Sequence, residues 1–167
     1  MFFYHLSSIQ QVKKLKFKHK GRSLLHQLAT NGHLYLLKAT VSVLGMNRSE
    51  TSLDVNALDE DSSTALVLAM KQKRFEFVKY LLRLPTVSTS VQSTKYGMPI
   101  HVALAQCEFK LALKLIKRQS QLRENSDINA LNEEGNTAMH LVFHNFQQEP
   151  ELATVVAKLL IRKGADL

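Results

Sequence analysis

One six-residue phrase recurs along the chain and limits what it can become. Gly135-Asn136-Thr137-Ala138-Met139-His140 states it most fully: glycine, any residue, threonine, a small residue, an apolar residue, histidine. Worn copies stand at Gly21-Arg22-Ser23-Leu24-Leu25-His26, Ser62-Ser63-Thr64-Ala65-Leu66-Val67 and Tyr96-Gly97-Met98-Pro99-Ile100-His101. Their anchors, Ser23, Thr64, Met98 and Thr137, are 41, 34 and 39 residues apart. A second phrase punctuates the other end of the units, at Asp54-Val55-Asn56-Ala57, Asp127-Ile128-Asn129-Ala130 and Gly164-Ala165-Asp166-Leu167. A period of this size marks stacked supersecondary units, each burying its apolar face against its neighbours.

The residues between the phrases read as helical hairpins. Ser23 is placed to cap a first inner helix, because its oxygen can accept from a free backbone N–H. Leu24, Leu25, Leu28 and Ala29 then make an apolar stripe, Gly32-His33 breaks it, and Leu34, Leu37, Val41 and Leu44 resume it. In the second unit Lys73 to Leu82 forms the outer helix and Pro85 closes it, since proline lacks the N–H. Pro99 opens the third unit at the first helical position, where a missing N–H costs nothing. Ile100, Ala103 and Leu104 face inward, with Leu111, Ala112, Leu115 and Ile116 on its outer helix. The fourth unit continues from Thr137 through Met139, Leu141, Val142 and Phe143. A final helix over 151–163 follows, carrying Leu152, Val155, Val156, Leu159 and Leu160, and Gly164 stops it.

On these two phrases and their register the chain resembles ankyrin-repeat proteins over nearly its whole length. The resemblance implies an all-α solenoid of stacked helical hairpins, forming one domain over 1–167. It divides into an N-terminal cap helix (1–17) and repeats at 18–57, 58–92, 93–130 and 131–167. The segment Lys73-Arg74-Phe75-Glu76-Phe77-Val78-Lys79-Tyr80-Leu81-Leu82 matches the family's outer helix apart from its opening Gly-His. Val67 stands in the usual histidine slot, so the hydrogen bonds from that histidine to the turn are expected to be missing there. Repeat 1 lacks an aspartate at Lys18, and repeat 3 has Tyr96 where a turn glycine is expected, so the turn conformations are in question. Small inhibitor-of-kappa-B-like and effector ankyrin proteins are similar in compactness.

Composition narrows the function classes. A chain of 167 residues can bury ~70% of its unfolded surface. A single cysteine, Cys107, excludes an intramolecular disulfide and suits a reducing compartment. No apolar run has the length of a membrane span, and no secretory core follows Met1 to Leu6. The expected location is intracellular, either cytoplasmic or nuclear. The formal charge of +8 belongs to one end. Residues 1–49 hold Lys13, Lys14, Lys16, Lys18, Lys20, Arg22, Lys38 and Arg48 and no acid, whereas 50–167 hold 14 basic and 14 acidic side chains. Lys14 to Lys20 alternates lysine with Leu15, Phe17 and His19. It suits either a solvated cap-to-repeat turn or a basic patch for nuclear import or an acidic partner, and Lys13 to Arg22 is a further alternative site for nucleic acid or anionic membrane.

Catalytic and metal chemistry find no constellation. His140 and His144 have the four-residue spacing of a helical zinc pair, but the intervening Leu-Val-Phe lacks the glutamate of a metalloprotease helix. His101 and Cys107 read as a repeat histidine and a hairpin-turn cysteine, not as a base and nucleophile. The six glycines are scattered, so no phosphate-cradling loop exists. The chain is expected to be no enzyme and to need no cofactor.

The family resemblance implies a concave binding face of turn tips and inner helices for another protein. Its first row on this chain is His19, Lys20, Arg22, Thr30 and Asn31, and its second Glu60, Asp61, Ser63, Lys71 and Gln72. The third is Thr94, Lys95, Ala105 and Gln106, and the fourth Glu133, Glu134, Asn136, His144 and Asn145. An alternative function is the targeting segment of a longer enzyme or effector. The chain stops at Leu167, where a next turn should begin, with an apolar last helix. Either further repeats are expected to follow, or the chain self-associates weakly through that end, with a monomer as the remaining outcome.

Overall fold

Each opening phrase becomes a turn that hands its last residues to a short helix. The computed structural model describes residues 21–44, 54–123 and 126–166. The expected cap helix over 1–17, the Lys13–Lys20 run, His19 and Lys20 lie outside these residues. Among them the structure has eight helices and no strand: α1 (Leu24–Asn31), α2 (Leu34–Leu44), α3 (Ala65–Lys71), α4 (Phe75–Leu81), α5 (Pro99–Ala105), α6 (Phe109–Leu122), α7 (Ala138–His144) and α8 (Pro150–Arg162). The fold class is all-α.

The chain forms two compact units that divide between Val87 and Ser88. In the first, α1 pairs with α2 and α3 with α4; α1 packs on α3 and α2 on α4. The second unit repeats this plan, with α5 paired to α6, α7 to α8, α5 on α7 and α6 on α8. Sequence spacing explains the core. In α3 every residue from Ala65 to Met70 is buried, and in α5 every residue from Pro99 to Leu104. The outer helices bury one stripe only: Phe77, Val78 and Leu81 in α4; Phe109, Ala112, Leu115, Ile116 and Gln119 in α6; Ala153, Val156 and Leu160 in α8. Val155, expected in that last stripe, is 45% exposed, because it falls about a third of a rotation from the middle of the buried stripe of Ala153, Val156 and Leu160.

The hairpins reverse through left-handed residues. Gly32, Lys73 and Cys107 have φ of 77°, 52° and 61°. At Gly32 an added Cβ would meet only the flexible side chain of Arg74, with Cδ at 2.9 Å, so it is the left-handed φ that favours glycine there.

Candidate interaction surface

The opening turns are built around a polar side chain that gathers backbone N–H groups. Asp59 Oδ1 accepts from Asp61 N at 3.0 Å and Ser63 N at 2.8 Å. Asn132 Oδ1 accepts from Glu134 N and Asn136 N, and Ser93 Oγ from Lys95 N and Tyr96 N. Each turn is closed by a backbone bond across four residues: Asp59 N to Ser63 O, Ser93 N to Gly97 O, and Asn132 N to Asn136 O. The doubt over Tyr96 resolves into a local change. Ser62 and Gly135 take φ of 53° and 76°, whereas in the third turn Gly97, one residue later, goes left-handed at 70°. Tyr96 thereby avoids a conformation that a bulky side chain disfavours.

The histidines then tie hairpins together. His26 Nδ1 accepts from Ser23 N at 3.1 Å, and its Nε2 lies 3.0 Å from Ser63 O in the next turn. His101 repeats the pattern, with Met98 N at 3.1 Å and Ala130 O at 2.9 Å. A carbonyl only accepts, so Nε2 carries the hydrogen and Nδ1 is left as a lone pair. Burial lowers the pKa of both rings below the ordinary value, against the raising influence of those carbonyls and, for His26, of the Asp59 charge. Both rings are therefore neutral structural bridges. At Val67 the expected gap is filled by packing: the side chain is fully buried, and Val67 N donates to the capping Thr64 Oγ1.

A second lacing runs through the closing phrases. Asn56 Nδ2 donates to Thr86 O at 2.8 Å, and Asn129 Nδ2 donates to Gly164 O and Asp166 Oδ2 while its Oδ1 accepts from Asp166 N. Arg74 Nε and Asn145 Nδ2 reach back to the last carbonyls of the preceding inner helices, Thr30 O and Leu104 O.

The residues expected to form a binding face divide between the units. In the first unit Asn31, Glu60, Lys71 and Gln72 are exposed, and Asp61 and Thr30 half-exposed, with Thr30 Oγ1 bonded to His26 O. Arg22 is half-buried, its Nε 3.4 Å from Asp59 Oδ2. Ser63 is a correction. It is 0% exposed, because its carbonyl is drawn under His26 and its N–H under Asp59, so its side chain is no surface group. In the second unit Thr94, Lys95, Ala105, Glu133, Glu134 and His144 are exposed. Lys95 Nζ lies 5.6 Å from the Tyr96 ring centroid. Gln106, Asn136 and Asn145 are half-buried, and Asn136 and Asn145 spend their amides on Glu134 Oε2 and Leu104 O.

Reading by sequence missed Asp59, which accepts from two backbone N–H groups and lies against Arg22; its alignment with Asn132 was the available signal. The closing asparagines were missed as well, although they recur at one place in two copies of the phrase. Among the described residues no three His, Cys, Asp or Glu side chains are grouped to hold a metal ion. His140 Nδ1 is engaged by Thr137. Within the same residues no helix is long and apolar enough to cross a membrane.

An all-α pair of hairpin units laced by histidine and asparagine is the class that sequence and structure define. No protein-family model matches the chain. It is similar to Protein lin-12 of Caenorhabditis elegans, 28% identical over 145 residues. The match takes in 87% of this chain and 10% of lin-12, so the chain spans about a tenth of that protein's length.

Proposed function

We propose that the chain is an ankyrin-repeat solenoid, one domain of repeats at 18–57, 58–92, 93–130 and 131–167, that works as a non-catalytic module binding another protein. The partner lies on turn tips and inner-helix ends: Glu60, Asp61, Lys71 and Gln72, then Thr94, Lys95, Ala105, Glu133, Glu134 and His144. The location is intracellular. One observation carries the reading. The inner helices are committed to core apart from their ends, and these ends and the turn tips leave polar side chains in water at repeated positions. Conserving geometry while varying exposed side chains is how repeat arrays present extended binding surfaces. The likeness to lin-12 fits a protein-interaction module in a general way.

Affinity capture with the whole chain as bait tests the proposal. Glu60→Lys, Lys95→Glu and Glu133→Lys are expected to lose partners that wild type retains. Lys114→Glu, on the exposed face of α6, is expected to keep them. Equal capture by all four variants refutes the assigned surface. A partner-independent catalytic activity in the purified chain refutes the class.

A further inference from the structure

We propose that the outward face of α6 and α8 docks on a lipid bilayer surface rich in acidic headgroups.

Both helices belong to the second unit. Lys110, at the start of α6, shares a groove with Glu149 to Leu152 at the start of α8. Beyond the far ends, Asn129 is bonded to Gly164 and Asp166. The helices therefore begin together and end together, running side by side in one direction. Their registers match: Ala153 lies 41 residues after Ala112, Val156 as far after Leu115, and all four are 0% exposed.

Positive charge collects on the side turned from the core. Lys110, Lys114 and Lys117 fall within about 60° of one another around α6, half a rotation from its buried stripe. On α8, Lys158 and Arg162 stand likewise opposite Ala153, Val156 and Leu160. All five cations are exposed, and Lys158 again follows Lys117 by 41 residues. α6 has no acidic residue, and α8 has only Glu151, at its start. Among the described residues none of the five cations makes an ion pair. Like charges four residues apart, as at Lys110 and Lys114, weaken a helix. The row is therefore unfavourable to the fold by itself and is relieved by a partner of opposite charge.

The shape of the face selects the anion. No aromatic ring is placed to stack a base, since Phe109 is 0% exposed and α8 has no aromatic residue. A DNA major groove, about 12 Å wide, admits one helix and not two abreast. Two helices side by side instead set their cations on one plane, and beside an anionic membrane each cation contributes without any register to satisfy. Val155, 45% exposed, precedes Lys158 and Arg162 by three and seven residues, so an aliphatic group stands in the same row at headgroup depth. The surface uses neither the turn tips nor the inner-helix ends, and it stands whether or not those bind a protein.

Flotation of the whole chain with lipid vesicles tests this. Vesicles of phosphatidylcholine with phosphatidylserine are expected to retain the chain at low salt and to release it as salt is raised. Pure phosphatidylcholine vesicles are expected not to hold it. Lys117→Gln and Lys158→Gln are each expected to lower the partition coefficient about five-fold, and together about 25-fold. Glutamine forms helix about as well as lysine, so these variants are expected to keep their helical circular dichroism. Equal retention on both kinds of vesicle, or on neither, overturns the proposal. So does a double variant that binds as wild type while Lys14→Gln with Lys16→Gln is released, which moves the contact to the N-terminal lysine run. A chain that holds duplex DNA at an ionic strength where it leaves acidic vesicles overturns it too, in favour of nucleic acid.

Discussion

His101 Nε2 lies 2.9 Å from the carbonyl oxygen of Ala130, a contact spanning 29 residues that joins α5 to the approach of α7. Its other nitrogen already accepts from Met98 N, so adding a proton would set two donors face to face. The lowered pKa of His101, and likewise of His26, makes stability depend on pH. The unfolded rings take up protons near pH 6.5 while the folded rings resist. This contribution is therefore complete above about 6.5 and is lost as pH falls through that value toward the lower folded pKa. Denaturant midpoints measured down a pH series are expected to drop through this window. His101→Val, the residue type found at Val67, is expected to flatten part of the drop and to cost about 1–3 kcal/mol at neutral pH.

Asp59 combines two bonds to backbone N–H groups with one to Arg22, and its side chain is wholly buried. Removing it strands buried donors, so Asp59→Ala is expected to cost about 2–3 kcal/mol. Asp59→Asn keeps the turn bonds, as Asn132 does in the other unit, and is expected to cost about 1 kcal/mol. Chemical denaturation of both variants checks the order.

Ser62 holds φ at 53° where the corresponding turns at Gly21 and Gly135 have glycine. The left-handed conformation costs a side chain about 1–2 kcal/mol, against about 0.5–1 kcal/mol for glycine's greater freedom when unfolded. Ser62→Gly is expected to be neutral to stabilising by about 1 kcal/mol, read as a rise in melting temperature.

Leu81 is 0% exposed in the stripe of α4, whereas Leu58 is 52% exposed. Leu81→Ala is expected to cost ~2–5 kcal/mol. Leu58→Ala is expected to stay within ~0.5 kcal/mol. Paired equilibrium unfolding curves separate the two.

Much of the hairpin plan was legible because each residue of the opening phrase has a local backbone task. Thr137 and Thr64 cap their helices, and Pro99 spends no N–H. Those tasks depend on neighbours three or four residues away, which a sequence displays directly. Exposure is a different kind of property. Phe143 sits in the register of the buried Leu104, and only the arrangement of helices reveals that nothing among the described residues covers it. Ser63 was placed on the surface by its position in a turn, but a carbonyl claimed from 37 residues away drew it inside. Gln119, buried and donating to Thr89 O, carries no periodic mark at all.

Four of the helices, α3, α4, α5 and α7, are seven residues long. An isolated helix of that length does not persist in water, since too few backbone bonds offset the ordering of its first turn. Amide hydrogens of Leu68 and Val102, deep in such helices, therefore have no private route to solvent by fraying. Their exchange with deuterium is expected to proceed only when a whole unit opens, at a rate that tracks its unfolding free energy.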